Sequence, residues 1–284
     1  MFAIVNIARF IAGHPLTRDH KLGAFARFIR WQLESRLLAE VTVPWIEGTR
    51  LLVRRGMTGA TGNIYCGLHE FEDMAFLLHF LRPGDVFLDI GANIGSYTIL
   101  ASGVKGARTF AFEPDPVTFV ALWRNVTLNG LGSIVTVREC ALGPGQGRIK
   151  FTRDLDTENR VATAEDSASR LVALDSVDHA LEGVVPTLIK LDVEGFESEI
   201  LSCAEATLGA PGLKAILTED RSPGVSKVLQ SAGFVEQSYD PFERKLVSGR
   251  RHSPGGNALF VRDLRFVRER LADAPLVRVL ERWL

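Results

Sequence analysis

What this chain has little of narrows its class. Only three cysteines occur, Cys66, Cys140 and Cys203. An odd number at wide spacing argues against a disulfide framework and a zinc motif, and a reducing, cytoplasmic setting is expected. No run of about 18 apolar residues is present, so no membrane span is expected. Neither sign of charge dominates. With 33 Lys and Arg against 34 Asp and Glu the net charge is -1, so nucleic acid is not an expected partner and any attraction to an anionic surface needs a local patch. No repeat of solenoid length and no low-complexity tract is found. The stretch from Met1 to Ala12 is apolar but interrupted by Asn6 and Arg9. It lacks a basic start and a small-residue cleavage pattern, and so reads as a packing helix, not a signal peptide.

What is present suits a soluble globular protein. The 284 residues are 46% apolar and 24% charged, enough for one large α/β domain with an extension or for two small ones. The central feature is Val86 to Ser96, where a short branched apolar run breaks at Gly91 and restarts with helical spacing at Ile94. This predicts a buried strand turning sharply into a helix. In an open parallel sheet ligands settle beyond the carboxyl ends of strands, and Gly91 and Gly95 are expected to let a ligand approach the backbone.

The residues between the glycines choose the ligand. A dinucleotide fingerprint wants glycine where Asn93 and Ser96 stand, and no Gly-Lys-Ser/Thr phosphate loop occurs. Asp89, at the strand end, repels a phosphate and favours an ammonium group. A cationic, phosphate-free nucleoside fits, and S-adenosylmethionine is the commonest such cofactor. A second strand, Arg108 to Phe112, ends at Glu113, about 20 residues past the turn, where a carboxylate can accept hydrogen bonds from ribose hydroxyls. Asp115 caps the next helix, Pro116 suits its first turn, and Asn129-Gly130 ends it.

Upstream, Leu22 to Glu40 reads as a packing helix, Thr49 to Arg54 as a strand, and Gly56, Gly59 and Gly62 as a turn-rich loop. His69 and Glu70 precede a helix through Phe76 and Phe80, and either face the cofactor's open side or cap the helix start. Downstream, Ile134 to Val137 is a third strand. Glu139 to Gly143 offers backbone groups to an adenine edge or is an ordinary strand-to-turn transition. Asp154 to Ser169 reads as a mobile loop over substrate. Leu188 to Glu197 repeats the logic of the first motif: a buried strand ends in Asp192, and a helix starts after Gly195, so Asp192 and Glu194 share a rim with Asp89. Glu197 and Glu199 read as first-turn charges that favour the helix dipole. Lys214 to Leu217 is a further strand leading to Glu219. Val235 to Tyr239 and Asn257 to Val261 form a closing pair, with Arg250, Arg251 and His252 in the loop between. The tail from Leu264 to Leu284 reads as an arginine-rich helical segment broken near Pro275.

Phe87-Leu-Asp-Ile-Gly-Ala-Asn-Ile-Gly-Ser-Tyr-Thr, Phe112-Glu-Pro-Asp-Pro, Ala141-Leu-Gly and Ile189-Lys-Leu-Asp-Val-Glu-Gly occur in this order. Together with Leu68-His-Glu and Leu174-Asp-Ser they resemble the FkbM family of S-adenosylmethionine-dependent methyltransferases over about Leu68 to Asp220. The resemblance implies a Rossmann-like class I methyltransferase fold, a doubly wound seven-stranded sheet with one antiparallel strand. The expected layout is an N-terminal helical and strand extension over 1–67, the methyltransferase domain over 68–262 and a helical tail over 263–284. The resemblance further implies that Asp89, Gly91, Asn93, Gly95 and Glu113 line the cofactor site and that Ala141 lies near adenine; Glu70, from its place before the first strand, is a further cofactor-binding candidate. It points to O-methylation of a hydroxyl on a sugar, glycan or secondary metabolite.

A hydroxyl acceptor must lose a proton as it is methylated, so a carboxylate or histidine in reach is needed. Asp192 is the first candidate, then Glu194, with His69 and Glu219 behind. A metal held by Asp192, Glu194 and Glu219 is a weaker reading, and none is assigned. The rivals are a nicotinamide-dependent oxidoreductase, which lacks its glycine and a Tyr-x-x-x-Lys, and a non-catalytic cofactor-binding module. Homo-oligomerisation is an open expectation.

Overall fold

The computed structural model describes residues 2–153, 160–163, 166, 168–247 and 256–284. Two helices, α1 (Phe2–Gly13) and α2 (Lys21–Leu37), lead into a hairpin of β1 (Val41–Pro44) and β2 (Arg50–Val53). The next segment differs from expectation. Thr58–Cys66 forms a helix, α3, although it contains Gly59 and Gly62. Burial of Ile64, Tyr65 and Cys66 against α2 and the hairpin outweighs the roughly 1 kcal/mol that each glycine costs a helix.

After α4 (Phe71–Phe80), β3 (Val86–Ile90) runs into α5 (Ser96–Ile99), which widens into a π turn over Leu100–Val104. Then come β4 (Arg108–Phe112), α6 (Pro116–Leu128) and β5 (Val135–Arg138). Asp115 caps α6 as its sequence predicts, accepting from the Val117 and Thr118 N–H groups. A side sheet holds β6 (Ala141–Leu142), β7 (Gly147–Thr152) and β8 (Ser169–Asp175) in the order β6-β8-β7. The chain continues through α7 (Val177–Ala180), β9 (Leu188–Leu191), α8 (Glu197–Ser202), α9 (Glu205–Gly209), β10 (Ala215–Thr218) and α10 (Pro223–Ser231). It closes with β11 (Val235–Asp240), β12 (Lys245–Val247), β13 (Ala258–Val261) and α11 (Leu264–Ala272). The tail is helical only to Ala272. Beyond Pro275 it turns into a short hairpin, β14 (Arg278–Val279) with β15 (Arg282–Trp283), because Val279 and Leu284 are buried in the main core.

The main sheet has the order β12-β11-β13-β10-β9-β3-β4-β5. Seven of these strands are the expected ones. Among them β13 alone is reversed, antiparallel to both β10 and β11. The eighth, β12, is an edge strand that pairs antiparallel with β11. It lies inside the stretch expected to be a loop; the remainder of that stretch, with Arg250, Arg251 and His252, lies outside the described residues. So does most of the expected loop between Asp154 and Ser169.

The sheet is buried on both faces. Phe87 joins α4 residues Phe76 and Phe80 on one side, while Leu88, Ile90, Ile189 and Leu191 pack with Ile200 and Leu201 on the other. From β3 the chain steps outward to β4 and β5, then returns to place β9 on the opposite side of β3. The strand order therefore reverses between β3 and β9, which opens a crevice at their carboxyl ends. No described helix is long and apolar enough to cross a membrane.

Candidate active site

Local backbone demands explain the turn after β3. Gly91 has a φ of +75°, and a Cβ there would lie 1.8 Å from the backbone oxygen of Asp192. One role is thus to let the ends of β3 and β9 approach, and Gly91 also lines the space beyond those strand ends. Gly95 likewise faces protein: a Cβ would meet Leu122 of α6 at 2.6 Å. Asn93 occupies the left-handed region at φ +52°, which asparagine tolerates. Its Oδ1 accepts from the Ile94 N–H, and its own N–H donates to Glu113 Oε2 at 2.9 Å. Glu113 Oε1 accepts from the Asp115 N–H at 2.9 Å. Burial pushes the Glu113 carboxyl up to about 7, against these two stabilising bonds.

A charged cluster lies on one face of β3 and β9. Asp89 and Lys190 are register partners on the adjacent strands. Asp89 is buried; Oδ2 accepts from Thr98 Oγ1 at 2.6 Å, while Oδ1 has no partner among the described residues. Burial raises its carboxyl to about 6, with Lys190 pulling the other way. The Lys190 ammonium donates to Asp192 Oδ2 at 2.5 Å and lies 4.8 Å from the centre of the Tyr97 ring. Burial works against the Asp192 charge, but Lys190 holds its carboxyl below the usual range. Burial and its bond with Asp192 push Glu219 up to about 8. Oxygens of Asp192, Glu194 and Glu219 all lie within 4.8 Å of one another. Among the described residues the cation supplied to them is Lys190.

Tyr97, Lys190, Asp192, Glu194 and Glu219 wall a cavity of about 290 Å³, lined also by His69, Glu70, Gly91, Asn93 and Asn257. A smaller one of about 60 Å³ continues past Gly91, Asn93 and Asp192 to Glu113 and Phe151. Glu70 stands at the N-cap position of α4 without capping it. Its carboxylate instead accepts from the Tyr97 hydroxyl at 2.7 Å and from Asn257 Nδ2 at 3.4 Å. His69 lies over Gly62, where a Cβ would come within 2.2 Å of Nδ1, and against the Phe10 ring at 5.2 Å. His69 and Glu70 also line a third cavity, of about 730 Å³, walled by α1 and the start of α4.

The structure thus gathers His69, Glu70, Gly91, Asn93, Asp192, Glu194 and Glu219 around one space, with Glu113 at its far end and Asp89 beneath. Gly95 and Ala141 line neither of these two cavities; Ala141 packs with Phe151 and Val172 instead. Glu197 is buried in the first turn of α8, where it accepts from the Val193 N–H. Lys190, Tyr97 and Asn257 were not singled out from sequence. A signal existed for Lys190, a lysine inside a four-residue apolar strand and two positions before an aspartate. No local signal marks Asn257, which arrives from the distant β13 end. A separate cavity of about 470 Å³ under α2, lined by Arg27, Trp31 and Trp45, lies away from the strand ends.

Known proteins similar to this chain include several methyltransferases. The chain is 31% identical over 135 residues to the hexuronic acid methyltransferase AglP of Haloferax volcanii, covering 46% of this chain and 55% of that protein. It is 36% identical over 103 residues to the 31-O-demethyl-FK506 methyltransferase FkbM of Streptomyces tacrolimicus, covering 35% and 39%. The chain therefore spans about half the length, or less, of these curated relatives. A solved FkbM methyltransferase from Methylobacillus flagellatus aligns over 83% of this chain and 60% of its own, at 16% identity and a TM-score of 0.43. The family model of the methyltransferase FkbM domain matches residues 89–240, more than half of the chain and the whole span from Asp89 through Glu219. This chain belongs to the FkbM methyltransferase family.

Proposed function

We propose that the protein transfers a methyl group from S-adenosylmethionine to a hydroxyl oxygen of a small-molecule or glycan acceptor. The observation that carries this is the charge of the groove: Glu70, Asp192, Glu194 and Glu219 line it, with Lys190 as the one lysine or arginine in its wall among the described residues. Such a wall disfavours a pyrophosphate and favours a cationic ligand. Asp89 Oδ1, buried and without a partner among the described residues, adds acceptor charge beside Lys190 on the same face of the sheet. When bound, S-adenosylmethionine would supply an electrophilic methyl carbon.

The chain's own part is to bind, orient and move one proton. Glu113 spends one lone pair of each oxygen on a backbone N–H and keeps others for ribose hydroxyls at the small cavity. Asp192, tied to Lys190, is a weak proton acceptor and a good electrostatic anchor. His69 lies on the wall shared by the groove and the 730 Å³ cavity, so it is better placed to take the acceptor's proton. That outer cavity combines the Phe10 and Phe71 side chains with the Glu70, Glu72 and Asp73 carboxylates. Flat apolar faces beside hydrogen-bond acceptors suit a polyhydroxylated acceptor, and the sugar-acid methyltransferase among the relatives supports that class.

Calorimetric titration with S-adenosylmethionine, S-adenosylhomocysteine and NAD tests the cofactor. Binding of the first two only is expected, and an acceptor screen over glycans and lipid-linked sugars follows. Binding of NAD alone overturns the reading.

A further inference from the structure

Helix α2 is apolar on two faces, and among the described residues protein covers only one. Ala24, Trp31 and Ser35 are buried inward. On the outer side Leu22, Ile29, Leu33 and Leu37 are 89%, 56%, 60% and 83% exposed. Their spacing of seven, four and four residues sets them on one continuous stripe. An aligned row of bare leucine and isoleucine side chains on a charged helix is unlike the scattered single exposures of an ordinary surface.

The charge around the stripe indicates what covers it. From Arg18 to Leu37 the chain carries five Lys or Arg against Asp19 and Glu34, a surplus of three positive charges in a protein whose net charge is -1. Lys21, Arg30 and Arg36 are exposed. A second copy docking by two-fold symmetry would set these cations against themselves. Anionic headgroups would neutralise them, while the leucines reach the headgroup and acyl boundary. We propose that α2 docks this protein on an anionic lipid surface, lying in the interface without crossing it.

The test is co-sedimentation of the full chain with vesicles of phosphatidylcholine alone, and with roughly one-third phosphatidylglycerol added. Binding to the mixed vesicles only is expected, weakening as salt rises. The double variant Leu33→Glu with Leu37→Glu should lower the bound fraction about tenfold or more, and Lys21→Gln with Arg36→Gln severalfold. All four positions are exposed, and unchanged circular dichroism confirms that the variants fold. Absence of binding to the mixed vesicles, or equal binding to both kinds, overturns the proposal. A stable wild-type dimer that the double glutamate variant makes monomeric, without vesicle binding, assigns the stripe to a second copy instead.

Discussion

Replacing Lys190 by methionine removes the one positive charge among the groove's carboxylates in the described residues and keeps most of the side chain's volume. Lys190 is almost fully enclosed, at 4% side-chain exposure, while its partner Asp192 keeps 31%. Removing one member of a buried ion pair costs about 3–5 kcal/mol. Water can still reach Asp192, so the lower end applies, about 3 kcal/mol near neutral pH. The pH dependence identifies the cause. Without Lys190 the Asp89 carboxyl, already up to about 6 through burial, rises further, and Asp192 loses the cation that holds it down. Both groups then have folded-state pKa values above their unfolded ones. The folded variant therefore binds more protons than its unfolded chain, and its stability grows as pH falls, by up to roughly 1.4 kcal/mol per pH unit for each carboxyl that titrates. Urea unfolding of both proteins near pH ~8 and pH ~5.5 should show a large gap at the higher pH and one smaller by about 1–2 kcal/mol at the lower. Equal stability at the higher pH, or a gap that does not change, would refute the argument that Lys190 is held there by these charges.

Other outcomes follow from the same geometry. Glu113→Ala should weaken S-adenosylmethionine binding by about 1–3 kcal/mol in calorimetry; unchanged affinity removes Glu113 from the site. His69→Ala should lower turnover by about 10²–10⁴ while leaving cofactor affinity intact. If Asp192→Asn does this instead, the proton goes to Asp192. Because burial raises Asp89 to about 6 and Glu113 to about 7, a cationic ligand must displace protons from them. Its affinity should increase as pH rises from below 6 to above 7, and proton release should show as a buffer-dependent binding enthalpy; a pH-independent affinity would count against their contact with the ligand. Gly91→Ala combines a left-handed backbone with a collision against the Asp192 carbonyl, so it should cost at least roughly 3 kcal/mol in thermal or urea unfolding.

The sequence by itself determined the strand-turn-helix after Val86, the capped helix after Asp115 and the second acidic strand end at Asp192. Each is written in local chemistry: a branched apolar run, glycines or an asparagine where φ is positive, and a capping aspartate ahead of proline. It also carried the expectation that the turn disfavours a phosphate, argued from the charge of Asp89 and the side chain of Asn93. Only the tertiary structure decided the rest. The helical state of Thr58–Cys66 depends on burial that outweighs two glycines, and the hairpin after Pro275 depends on a core surface waiting for Val279 and Leu284. The purpose of Gly91 is invisible locally, since the atom it avoids belongs to a residue about a hundred positions later. The same holds for the charge state of the site. Asp89, Lys190, Asp192 and Glu219 acquire their protonation preferences from strands that meet only after folding, and burial, a property of the whole chain, is the largest influence on each.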